Sequence, residues 1–76
     1  MYYGEQLRAA RNLVRWSQHR LAEEAGISVE TVKRLEAIRG PVSANTKTID
    51  AIVSALKPFV EFIDENGGGP GVRLRK

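Results

Sequence analysis

Residues 17–36 read SQHRLAEEAGISVETVKRLE. Ser17 and Ser28 each stand just before a run of helical character. Each hydroxyl can accept a hydrogen bond from a backbone N–H in the next turn, so both read as N-caps. The first run, residues 18–25, buries Leu21, Ala22 and Ala25. Gly26 suits the left-handed position that ends a helix, and Ile27 dips into the core. The second run goes from 29 to about 38 and keeps Val32 and Leu35 on one face. That leaves Val29, Glu30, Lys33 and Arg34 to face outward. A long loop would let the second helix wobble; a tight turn lets the first brace it at a steep angle.

The flanking residues extend the same pattern. Residues 5–15 place Leu7, Ala10, Leu13 and Val14 at helical spacing, with charges opposite. Gly4 lies near the start of this helix, and Trp16 packs where it ends. After the central pair, Gly40-Pro41 breaks the chain. Asn45 can cap a fourth helix over 46–57, with Ile49, Ile52, Val53 and Leu56 inward, and Pro58 stops it. The expected fold is all-α: a compact unit over 1–58, followed by a tail over 59–76. In the tail, VEFI (60–63) and VRLR (72–75) alternate around the turn cluster DENGGGPG, which reads as a β-hairpin or strand extension. One hairpin alone is marginal in water. Phe59, Phe62, Ile63, Val72 and Leu74 therefore either close the core of the monomer or form a dimer seam, and exposed strand edges favour the seam.

The 76 residues hold one domain with a modest core. The chain has no cysteine, hence no disulfide framework and no thiolate metal site. Neither a signal-peptide run nor a membrane-length apolar stretch is present, so a soluble cytoplasmic protein is expected. The formal charge is +3. Residues 1–57 hold nine basic and six acidic side chains, and residues 58–76 hold three of each, so the excess lies wholly in the helical part. That balance favours a polyanionic partner without proving one.

A short helix, a turn with glycine and a second helix form the helix-turn-helix pattern, whose second helix enters a DNA major groove. Here the chain resembles the lambda-repressor-like (Cro/C1-type, XRE) transcriptional regulators. LRAAR in the first helix, WSQ opening the second, LAEEAGIS at the turn and TVKRLE in the third carry the likeness, over about residues 5–57. The resemblance implies a four- to five-helix domain that binds double-stranded operator DNA, commonly as a homodimer. Val29, Glu30 and Arg34 match base-contacting positions. Gln18 matches a position that touches phosphate and buttresses the third helix. Thr31 and Lys33 lie beside the base readers, within reach of phosphate, and Arg39, Asn45 and Lys47 supply the loop contacts. Arg11 and Glu36 match an ion pair between the first and third helices. Two departures stand out: Ala37-Ile38-Arg39-Gly40-Pro41 replaces a short polar turn and threatens to lengthen the third helix, and Arg15 replaces a common glycine.

Each assignment has a plainer rival. Arg34 reads guanine or is a solvated arginine. Glu30 accepts from a cytosine amine or sits at a helix N-terminus for the macrodipole. Lys33 meets phosphate or pairs with Glu30 or Glu36. The single histidine, His19, reads as an exposed helix residue; a metal there would find only carboxylates. GGGPG lacks the Lys-Ser/Thr and the following helix of a P-loop and reads as a turn. Neither cofactor nor metal is expected, and nothing resembles a nucleophile with a positioned base, so an enzyme is not expected. The competing functional reading is an antitoxin-like or adaptor protein whose main role is to bind a partner protein.

Overall fold

A computed structural model of the protein describes residues 2–43 and 46–75. Within them the chain runs α1 (Gly4–Leu13), α2 (Gln18–Ala25), α3 (Val29–Glu36), α4 (Thr46–Leu56), β1 (Val60–Ile63) and β2 (Gly71–Leu74). This is an all-α, lambda-repressor-like arrangement with a C-terminal hairpin. No fifth helix occurs among the described residues; after α4 the chain enters β1. No helix there is long and apolar enough to cross a membrane.

The two central helices start and stop where local chemistry dictates. The Ser17 hydroxyl accepts from the Arg20 N–H at 2.9 Å, and Ser28 accepts from the Thr31 N–H at 3.2 Å. Gly26 ends α2 at φ 70°, a conformation that costs a residue without Cβ little. α1 stops at Leu13, two residues before the spacing suggests. Arg15 takes φ 62°, the left-handed conformation that explains why a glycine is common at this position.

α3 ends at Glu36, not at 38, so the 37–41 segment does not lengthen it. The cause is tertiary. Ile38 packs against the core, and its N–H turns back to the Leu35 carbonyl at 3.2 Å. The start of α1 abuts this last turn: a Cβ built on Gly4 would lie 2.0 Å from the Ile38 carbonyl oxygen and 2.8 Å from that of Leu35. Gly4 also donates its N–H to the Gly40 carbonyl at 3.1 Å, and Val42 donates to the Tyr2 carbonyl at 2.8 Å. The first residues described are thus stitched to the segment after α3.

The core gathers one or more side chains from each element except β2, including Leu7, Leu21, Leu35, Ile52, Leu56 and Val60, all nearly solvent-free. Val60 carries the hairpin into this core. β1 and β2 pair antiparallel, with Val60 opposite Leu74 and Phe62 opposite Val72. β2 begins at Gly71 and ends at Leu74, one residue earlier than the 72–75 expected. The hairpin packs on α1. The Gln6 side-chain amide donates to the carbonyls of Ile63 (3.1 Å) and Gly71 (2.8 Å), and Tyr2 meets Phe62 edge-on at 5.3 Å. Phe62 and Val72 are half-buried against the core of their own chain, whereas Phe59 and Leu74 stay exposed.

Candidate nucleic-acid interface

α3 has two surfaces of opposite character. Val32 and Leu35 point inward and are fully buried. Glu36 is also buried, and its carboxylate is the hub of a polar brace. Arg11 of α1 grips it with two charge-assisted hydrogen bonds, Nε to Oε2 at 2.8 Å and Nη2 to Oε1 at 3.0 Å. The remaining Arg11 nitrogen, Nη1, donates to the Trp16 carbonyl at 2.8 Å. Gln18, at the start of α2, donates its amide to Glu36 Oε1 at 3.1 Å. Three helices therefore meet at one carboxylate. Among the described residues no buried side-chain nitrogen or oxygen lacks a partner, so the charges are compensated where they are desolvated.

The opposite surface of α3 is open. Glu30, Lys33 and Arg34 are exposed, and so is Ala37 just past the helix end. At 3.6 residues per turn, Glu30, Arg34 and Ala37 fall in one stripe, with Lys33 on the flank toward α1. Lys33 and Arg34 make no ion pair or hydrogen bond with any described residue. Lys33 therefore does not pair with Glu30 or Glu36. Cations elsewhere do find partners: Arg20 pairs with Glu24 at 2.9 Å and Arg73 with Glu61 at 3.0 Å.

Two expected outward residues sit differently. Val29, at the first residue of α3, is half-buried against the core and does not project freely. Thr31 is also half-buried, and its hydroxyl lies 2.8 Å from that of Ser28, so it is engaged at the cap. Gln18 buttresses α3 through Glu36. Arg39 and Lys47 are exposed, at the loop and at the start of α4; Asn45 lies outside the described residues. His19 is exposed, and no three His, Asp or Glu side chains gather to hold a metal among the described residues.

A helix-turn-helix domain family matches residues 3–57. The chain belongs to that family. No curated protein matches the chain. Membership in the helix-turn-helix family points to DNA binding and to transcription regulation, and residues 3–57 contain α1 to α4 whole.

Two residues of this helix-turn-helix domain escaped the sequence reading. Arg8 of α1 is exposed and borders the cleft beside Lys33 and Ala37; Ala37 continues the stripe of Glu30 and Arg34. The signals were present: Arg8 lies one turn before Arg11 on α1, and Ala37 one turn after Arg34. Nearby, the Gly40 N–H donates to the Glu5 carboxylate at 2.9 Å. That bond, the backbone N–H of Glu5 itself and the Arg39 charge hold the Glu5 carboxyl below the usual carboxylate range.

Proposed function

We propose that the protein is a sequence-specific transcriptional regulator, a repressor by default, that inserts α3 into the major groove as a homodimer. One observation carries this reading: α3 is fixed from behind by a fully compensated charge cluster while Glu30, Lys33 and Arg34 stand exposed in front. A helix held rigidly with its polar surface uncovered is built to meet base edges. Arg34 suits bidentate bonding to guanine, and Glu30 suits the cytosine amine. Val29, half-buried, offers only its outer methyl surface to a thymine methyl. Gln18, Thr31, Lys33, Arg39 and Lys47 would set register on phosphates. The chain acts by binding, with no catalytic step.

The dimer reading draws on exposed apolar residues. Gln6 ties the start of α1 to the turn end of the hairpin, while Trp16 stacks edge-on against Phe59 at 5.6 Å. α1 therefore lies against the hairpin, and Leu13, three residues before Trp16, is exposed as Phe59 and Leu74 are. These three are the exposed large hydrophobic residues of the described chain. A two-fold contact there, and not through Phe62 and Val72, is the form of the seam that the packing supports. The same patch would serve an adaptor that binds a different protein.

Selection of bound DNA from a random pool at two ionic strengths tests the reading. A palindromic site with half-sites about 34–36 Å apart is expected, with affinity falling by about 0.9 log units per log unit of salt for each phosphate neutralised. Recovery of no enriched sequence would overturn sequence-specific recognition. Sedimentation of the pure protein addresses the dimer: a monomer at operator-saturating concentration, bound to single half-sites, removes it.

A further inference from the structure

We propose that Arg8 of α1, with Arg39, is a DNA phosphate-contacting residue, so that α1 takes part in the interface and does not merely brace it. The inference rests on the DNA-binding reading above. Arg8 borders two adjoining clefts at the C-terminal end of α3. One, of about 370 Å³, lies between Arg8, Gln18, Lys33 and Ala37. The other, of about 460 Å³, lies between Arg8, Asn12, Ala37 and Arg39. Arg8, Glu36 and Ala37 border both. Lys33, Arg8 and Arg39 therefore follow one another in a row, from the start of α2 to the loop after α3.

Two of the three cations are electrically unspent. Neither Arg8 nor Lys33 has an ion-pair or hydrogen-bond partner among the described residues. Of the acids that line the clefts, Glu36 is neutralised by Arg11, while Glu5 accepts the Gly40 N–H, keeps its charge and is balanced by Arg39. Three cations border two adjoining open clefts. An isolated anion prefers an enclosed cradle of converging donors, whereas adjoining open clefts bordered by spaced cations suit a chain of phosphates. The stripe of Glu30, Arg34 and Ala37 runs beside it, so a groove-bound α3 brings a strand's backbone over this row.

The test measures affinity for the selected operator and for random duplex across a salt series, using wild type, Arg8→Gln, and Arg73→Gln as a charge-matched control on the hairpin. Thermal unfolding of each variant confirms the fold. Arg8→Gln is expected to weaken both DNAs about three- to tenfold at 0.1 M salt and to reduce the log–log slope by about 0.9, with base preference unchanged. Arg39→Gln should do the same, and the two losses should add. If wild type binds but Arg8→Gln matches Arg73→Gln, the assignment fails while the DNA-binding reading stands. If wild type shows no salt-dependent binding to any duplex, that reading itself fails. Altered base preference in Arg8→Gln would also overturn the proposal.

Discussion

α1 is fastened to the rest of the chain by two polar anchors of different kinds. Near its start, Gln6 holds the hairpin with a neutral amide that bridges two backbone carbonyls and also accepts the Tyr3 N–H at 3.2 Å. Near its end, Arg11 holds α3 and the α1–α2 turn with a charge pair. Both are buried or nearly so, yet they fail differently. Carbonyls that lose the Gln6 amide can turn to water at the rim of the hairpin. A Glu36 or Arg11 that loses its partner remains an unpaired charge inside the protein, which is far more expensive. α3 is thus held by the joint with least tolerance, and the tail by the one with more.

Removing half of the charged anchor should have the largest effect. Glu36→Ala is expected to cost about 3–5 kcal/mol in urea unfolding. Replacing Arg11 and Glu36 together by Met should restore much of that loss, since no charge is then stranded. A single substitution costing under about 1 kcal/mol would mean that water already reaches the pair. Gly4→Ala attacks the same joint through the backbone. The carbonyls that a methyl would strike cannot rotate away as a side chain would, so a loss of about 3 kcal/mol or more is expected.

Breaking the neutral anchor should be milder and local. Gln6→Ala is expected to cost about 1–3 kcal/mol. Amide exchange should quicken in β1 and β2 and stay slow in α3; faster exchange in α3 would show that the two anchors are not independent. The smallest effect concerns Glu5, which links the start of α1 to Gly40. Its carboxyl titrates below the ordinary value of 4.5 in the folded protein. Its contribution is therefore complete above pH 4.5 and disappears as the pH falls through the lower folded value. Glu5→Gln should lower stability slightly near pH 7 and not below the folded value, so the difference from wild type, read across the stability–pH curve, shrinks as the pH falls.

What the sequence disclosed follows from range. Ser17, Ser28 and Gly26 act on residues within one turn, so their roles in bounding α2 and starting α3 could be read directly. Val32 and Leu35 declared the inner surface of α3 by spacing alone, and the likeness to known regulators supplied the Arg11–Glu36 pair. The end of α3 was not legible, because it depends on Gly4 arriving from thirty-odd residues away and on Ile38 being drawn into the core. Val29 was misjudged for a related reason: at a helix's first residue, the side chain's surroundings are set by the turn before it as much as by helical period. The attachment of the hairpin was hidden in Gln6, a residue type that usually lies at the surface. Arg8 went unnoticed because it sits outside the helix pair that attracts attention.

The bareness of the outer stripe of α3 has a consequence for change over generations or at the bench. Glu30, Lys33 and Arg34 support no other part of the molecule, while the position of the helix is guaranteed by Gly4, Leu35 and Glu36 behind it. Under the proposed function, exchanging the front residues should therefore redirect the protein to new operators with little penalty in folding, whereas the residues behind leave almost no freedom to vary.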